Sequence, residues 1–200
     1  MEKFKFYEVD TAYAAYLRQY EPKIPNITYA TNDKFLCGVL FKINGMNYYA
    51  PISSFTKPQK TNMLIKNRTG RITSSIRFCF MFPVPDDKVR MKDFSKEDPS
   101  YRRLLWEELS FCRRNADQIS STALHIYATA TSGLDKTMQR NCCNFKRLEA
   151  LCLQYTRQQL STDQPRKSVR AALDDAKVQA SSQQTATKTA ATPDQELQPV

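Results

Sequence analysis

Two adjacent hydroxyls, Ser53 and Ser54, stand just ahead of Lys57 in the run Tyr48-Tyr49-Ala50-Pro51-Ile52-Ser53-Ser54-Phe55-Thr56-Lys57-Pro58-Gln59-Lys60. Hydroxyls beside an ammonium group can hydrogen-bond a phosphodiester, offset its charge and help move a proton. Taken singly, these residues have plainer uses. A serine after a strand commonly caps a turn, and a surface lysine commonly keeps a protein soluble. The surroundings favour chemistry. The pair follows a well-marked aromatic strand, which would hold it rigidly at a sheet edge. No G-x-S-x-G elbow surrounds the pair, and the single histidine, His125, lies in a helix-like stretch. A serine-hydrolase triad is therefore not expected.

The charge pattern says what such a site would hold. Between Asp33 and Asp86 there is no acidic residue, yet the block carries Lys34, Lys42, Lys57, Lys60, Lys66, Arg68, Arg71 and Arg77. A surface that gathers positive charge and excludes negative charge fits a polyanion. Lys34, Lys60, Lys66 and Arg68 are the expected phosphate contacts flanking Lys57. The chain has a net charge of +10, and residues 161–200 carry as many acids as bases, so that charge lies on residues 1–160. Seven tyrosines, Tyr7, Tyr13, Tyr16, Tyr20, Tyr29, Tyr48 and Tyr49, are candidates either for the core or for a platform on which unpaired bases stack.

Other chemistries are poorly supplied. Metal-dependent nuclease chemistry needs clustered carboxylates, and the basic block has none. The six cysteines form no C-x-x-C pair and read as buried free thiols. No cofactor or metal is expected. No run is apolar enough over about 20 residues to span a bilayer, and the start Met1-Glu2-Lys3-Phe4-Lys5-Phe6 lacks a signal-peptide core. The expectation is a cytoplasmic protein with no membrane partner. No helix-turn-helix with a basic recognition helix stands out, so DNA is not the expected partner.

The elements that must position the site follow from periodicity and punctuation. Residues 3–9 alternate and predict a strand. Asp10 is placed to cap a helix over 11–20, which Pro22 and Pro25 follow. A loop over 21–34 leads to a nearly continuous apolar strand at 35–43. Asn44-Gly45 predicts a type I′ hairpin that returns the chain through 46–52. Residues 53–75 are polar and basic and read as a long loop with at most one short helix. Residues 76–84 predict another strand. Asp98-Pro99 predicts a helix start. A second helix is expected over 117–132 with Gly133 at its C-terminus, and a third over 145–160, capped by Asn144, with Leu148, Leu151, Cys152 and Tyr155 facing inward. After Ser161 the composition turns to Ser, Thr, Gln and Ala without aromatics, so 161–200 is expected to be a disordered tail on a 1–160 domain. The fold class is α+β: a compact, strongly bent antiparallel sheet, open or closed into a barrel, with packed helices.

The segment Gly38…Asn44-Gly45…Tyr49-Ala50-Pro51-Ile52-Ser53-Ser54…Lys57 resembles the ToxN/AbiQ family, the protein toxins of type III toxin–antitoxin systems, with its CptN branch nearest. The Phe4-Lys5-Phe6-Tyr7 start, the Tyr13…Tyr16-Leu17 helix and the Tyr101-Arg102…Leu105…Glu108-Leu109 helix are similar to the family's pattern over roughly residues 4–160. The resemblance implies a fold like the Kid/MazF toxins. It also implies a metal-independent endoribonuclease that cuts mRNA and its own repeat RNA antitoxin. That antitoxin is a folded RNA pseudoknot that inhibits the toxin within a closed protein–RNA ring. Carried across by position, Ser53 and Ser54 match the family's hydroxyl pair, Lys57 its following lysine, Lys34 a basic residue before the Gly38 strand, and Tyr13 and Tyr29 site tyrosines. The family's frequent Ser-Pro-Lys is one residue longer here, so either Lys57 or Lys60 meets the scissile phosphate. The expected reaction is attack by the substrate's 2′-OH on the adjacent phosphate, with Ser53, Ser54 and Lys57 as the catalytic set. The rival reading is a non-catalytic RNA-binding protein that uses the same basic surface and treats Ser53-Ser54 as a turn cap.

Overall fold

A computed structural model describes residues 4–27 and 35–163, with the side chains of the last helix described to Leu160. The chain opens with strand β1 (Lys5–Val9) and helix α1 (Thr11–Tyr20). Asp10 caps α1, its carboxylate accepting from the Tyr13 amide at 2.8 Å. The chain continues through β2 (Leu36–Gly38), β3 (Lys42–Ile43), β4 (Met46–Ser53), β5 (Asn62–Lys66), β6 (Ile72–Arg77), β7 (Phe82–Val84) and β8 (Val89–Met91). Four more helices follow: α2 (Pro99–Arg114), α3 (Ala116–Thr131), α4 (Lys136–Asn141) and α5 (Phe145–Asp163). The α+β expectation holds. Among the described residues no helix is long and apolar enough to cross a membrane. The expected tail begins within the last turns of α5, and the rest of it lies outside the described residues.

All strand pairs are antiparallel, in the order β5-β6-β4-β2-β1-β8, with β3 and β7 both pairing with β4. The described sheet is open, which corrects the closed-barrel alternative. Its edges are covered or charged rather than joined: α2 packs on β5, and β8 carries Arg90. β4 changes partners along its length. Residues 47–49 pair with β7, Ala50 and Pro51 with β2, and Ile52 and Ser53 with β6. This one strand ties the sheet together and ends at the serine pair.

The Asn44-Gly45 turn forms as expected, with φ of 50° and 80°. The apolar 35–43 run is not one strand. It breaks after Gly38, and β3 resumes at Lys42. Gly38 is required there because a Cβ would come within 2.3 Å of the Tyr49 ring. The 76–84 run is likewise interrupted, by a 3₁₀ turn at Phe78–Phe80.

The largest correction concerns 53–75. Its second half is not a loop but the β5–β6 hairpin. Asn67 builds the tip: its side-chain oxygen accepts from the Thr69 amide at 3.0 Å and the Arg71 amide at 2.9 Å. Gly70 takes a φ of 81°. β5 is the sheet's edge, with Lys66 exposed at its end, while β6 lies between β5 and β4 and sets Ser74 and Ser75 at buried positions, so the apolar alternation that betrays a strand is missing.

The core is aromatic, with Phe6, Tyr13, Tyr48, Tyr49, Phe78, Phe82 and Phe145 fully buried. All six cysteines are buried and unbridged. α5 turns Leu148, Leu151 and Cys152 inward, and Asn144 caps it by accepting from the Arg147 amide at 3.1 Å. Asp98 precedes Pro99 at the start of α2 as expected, but its side chain makes no capping bond.

Candidate active site

The register of β4 on β6 sets Ser53 opposite Ser75. Beyond Ser53 the chain leaves the sheet but stays tied to it. The Ser75 hydroxyl donates to the Phe55 carbonyl, and Ser53 Oγ accepts from the Phe55 amide at 3.3 Å. Ser53 is therefore half-buried and engaged in its own turn. Ser54 is exposed and makes no side-chain hydrogen bond among the described residues.

The next residues form a loop closed by one side chain. Asn62, the first residue of β5, donates from Nδ2 to the Lys57 carbonyl at 3.0 Å. Its Oδ1 accepts from the Gln59 amide at 2.9 Å. The backbone of 57–59 is held while the side chains of Lys57 and Lys60 stand exposed, neither in an ion pair among the described residues. Arg77 braces the loop from below. Its guanidinium lies 4.4 Å from the centre of the Phe55 ring and 4.9 Å from that of Phe80. One of its nitrogens donates to Gln59 Oε1 at 3.3 Å. Residues 34–85 contain no carboxylate that could neutralise these cations. Among the described residues, no three or more His, Cys, Asp or Glu side chains gather where they could hold a metal ion.

The fold groups only some of the residues picked from sequence. Ser53, Ser54, Lys57 and Lys60 share one loop. Lys66 and Arg68 do not join them. β5 starts beside the Lys57 loop and runs away from it, so Lys66 lies roughly 14 Å farther along. Arg68 is at the hairpin tip beyond it. Tyr13 is a further correction. It is fully buried, donates from its hydroxyl to the Pro83 carbonyl at 2.8 Å, and packs edge-on against Tyr155. Burial also pushes its phenol pKa upward. It has neither a free face for a base nor a usable proton. Tyr48 and Tyr49 are core residues as well. Tyr29 and Lys34 lie outside the described residues.

Three residues support the loop: Asn62 and Ser75, which sequence did not single out, and Arg77, which it counted only among the bases of the acid-free block. A signal for two of them existed, because Ser75 and Arg77 are two apart on one strand and so share a face. Reading it required recognising β6.

An exposed hydroxyl and two exposed ammonium groups on a braced loop can grip a phosphodiester and balance charge that builds on it. The sequence matches the family model described as toxin ToxN, type III toxin–antitoxin system, over residues 5–152. It is 29% identical to the endoribonuclease ToxN of Bacillus thuringiensis subsp. kurstaki, over 76% of this chain and 84% of that protein. It is 26% identical to the endoribonuclease AbiQ of Lactococcus lactis subsp. lactis, over 76% and 90% respectively. Among solved structures, a toxin from a study of selective toxin inhibition by a non-coding RNA pseudoknot superposes with a TM-score of 0.73. That match is 25% identical and covers 78% of this chain and 99% of that one. Because that family model covers residues 5–152 and the fold matches as well, the chain belongs to the ToxN toxin family of type III toxin–antitoxin systems.

Proposed function

We propose that the chain is an endoribonuclease toxin that cleaves RNA without a metal ion, by internal transesterification. The substrate 2′-oxygen attacks the adjacent phosphorus as its proton is removed. The bond from phosphorus to the 5′-oxygen breaks, and that oxygen takes up a proton. The products are a 2′,3′-cyclic phosphate and a 5′-hydroxyl. The protein need not supply a nucleophile. It must hold the 2′-OH in line, balance charge on the phosphoryl oxygens and handle two protons.

Lys57 is the main charge stabiliser and proton shuttle. Ser54 hydrogen-bonds the phosphate or the 2′-OH, and Ser53 supports it through the turn. Lys60 and Lys34 hold flanking phosphates, and Tyr29 orients a base or ribose. Lys66 and Arg68 act farther out, on the RNA backbone along the hairpin. The observation that carries this reading is the Ser54–Lys57 loop itself. Its backbone is pinned by Asn62 and Ser75, while its hydroxyl and ammonium groups stay exposed in a stretch of chain, 34–85, that contains no acid.

The substrates are mRNA and the toxin's own repeat RNA. That RNA, folded as a pseudoknot, inhibits the toxin in a closed protein–RNA assembly, and the setting is the cytoplasm. Support comes from the endoribonuclease relatives and from the pseudoknot-inhibited toxin of similar fold. The finer fold assignment, kinship with the Kid/MazF toxins, is part of this reading and is tested by direct superposition.

Incubation with unstructured RNA in EDTA tests the function. Fragments ending in cyclic phosphate support it. RNA that is bound but never cut favours instead a non-catalytic RNA-binding protein, in which Ser53 is only a turn cap.

A further inference from the structure

Trp106, the chain's one tryptophan, is 53% exposed on the outer face of α2. A singly exposed aromatic is ordinary on a protein surface, so any role for this ring rests on what holds it and what surrounds it. Phe94 holds the ring from one side, edge-on at 4.9 Å, which leaves the indole anchored rather than free to fold back.

The residues around it are cationic. Arg103, Ser110 and Arg113 lie at the −3, +4 and +7 positions from Trp106, one stripe of the helix, and Arg114 borders it. Trp106, Ser110, Arg113 and Arg114 line a shallow concavity of about 500 Å³. Two of the guanidiniums are fixed in place. Arg113 donates from Nε to the Phe4 carbonyl at 3.0 Å, and Arg114 donates to Ser110 Oγ at 2.7 Å. Each contact uses part of a five-donor fork. Among the described residues none of Arg103, Arg113 and Arg114 forms an ion pair. The adjacent acid Glu107 lies roughly 100° round the helix from Trp106, on the side of Arg103 and Arg114, and forms no ion pair with either. Glu108 is buried on the far side.

An anchored indole beside fixed guanidiniums that form no ion pair among the described residues is an arrangement that takes a flat base and its phosphates together. We infer that this face of α2 binds an unpaired stretch of RNA, stacking one base on Trp106 and holding neighbouring phosphates with Arg113 and Arg114. The occupant is single-stranded because a base inside a duplex cannot offer its face. This site is separate from the Ser54–Lys57 loop, and the inference rests on the reading that RNA is the protein's partner.

The single tryptophan makes the test direct. The full chain is titrated with an unstructured 2′-O-methyl oligonucleotide, which binds but lacks the 2′-OH needed for cleavage. Binding is followed at once by anisotropy of a label on the oligonucleotide and by tryptophan emission. Emission should be quenched in step with binding. Trp106→Ala should weaken binding roughly 5- to 150-fold, while Trp106→Phe keeps most of the affinity. Arg113→Ala with Arg114→Ala should flatten the salt dependence by about 1.4 in log–log slope, at about 0.7 per single-strand phosphate contact. Saturating binding with unchanged emission overturns the inference. So does equal quenching by duplex RNA or polyglutamate, or an unaltered affinity in Trp106→Ala. Failure of the nuclease reading looks different: unmodified RNA stays intact in a parallel assay whatever the emission does.

Discussion

The side chain of Asn62 closes a ring around Lys57, donating to its carbonyl at 3.0 Å and accepting from the Gln59 amide two residues on at 2.9 Å. A single carboxamide thus fixes the backbone from which the proposed catalytic ammonium projects. Asn62→Ala frees that backbone and leaves Lys57 itself in place. Cleavage should fall about tenfold or more with little change in KM, since a misplacement near 1 Å can cost about 10²-fold. Asn62→Asp keeps the acceptor but puts a carboxylate beside the phosphate site, so KM should rise as well. Steady-state cleavage of a short RNA separates the two effects.

Lys57 and Lys60 share the loop, but only Lys57 has its backbone carbonyl held by Asn62. Lys57→Ala should lower kcat by about 10²–10⁴-fold, the usual contribution of one acid–base group, with RNA still bound. Lys60→Ala should mainly raise KM and reduce the salt slope by about 0.7. If the two phenotypes come out exchanged, Lys60 is the catalytic lysine and the roles must be reassigned.

The serines divide in the same way. Ser53 is spent on the Phe55 amide, while Ser54 is exposed. Ser53→Ala should lower stability by about 1 kcal/mol, the worth of one such hydrogen bond, and leave the folded enzyme active. Ser54→Ala should leave the melting temperature alone and cut kcat. A calorimetric scan paired with the cleavage assay checks both.

Tyr13 joins the core, so its phenotype should be structural. Tyr13→Phe removes the donor to Pro83 and leaves a buried carbonyl unpaired, at a cost of about 1–3 kcal/mol. RNA affinity of the folded protein should not change. A loss of affinity at unchanged stability would return Tyr13 to the RNA-binding surface.

What could be read from sequence was local. Asp10, Asn44-Gly45, Asn144 and Gly133 each act on backbone within a few residues, and each does what its type and position announce. The serine–lysine run was legible as chemistry because residue type and charge are written in the chain. The support was not. β5 and β6 were hidden because Ser74 and Ser75 fill buried positions of β6 and β5 carries only a short apolar run, so neither shows the alternation that marks a strand. Without them neither Asn62 nor Arg77 could be seen beside the loop. Tyr13 shows a second limit, since a tyrosine's type serves a core and a binding face equally well and only its neighbours decide. Lys66 and Arg68 show a third. Nearness in sequence counted them into the site, and an extended strand carried them away.

Glu108 offers a test of how α2 is seated on the sheet. Its carboxyl is 3% exposed and accepts from the Thr73 hydroxyl of β6 at 3.2 Å. Burial pushes its pKa upward, against the smaller opposing pull of nearby hydroxyls. The sign follows from linkage. A carboxyl whose folded pKa exceeds its ordinary value of 4.5 binds its proton more tightly when folded. Below 4.5 both states are protonated and there is no penalty. As pH rises through the ordinary value and then the folded one, stability is lost, and the whole cost is present once the pH exceeds the folded value. Glu108→Gln keeps the shape and the acceptor without the charge. It should raise the melting temperature at pH 7, leave it nearly unchanged below pH 4.5, and flatten the profile between. Melting curves of both proteins across that range decide the matter. A variant less stable than the parent at pH 7 would mean that the ionised carboxylate is needed where it lies, and that α2 is held to β6 by charge rather than in spite of it.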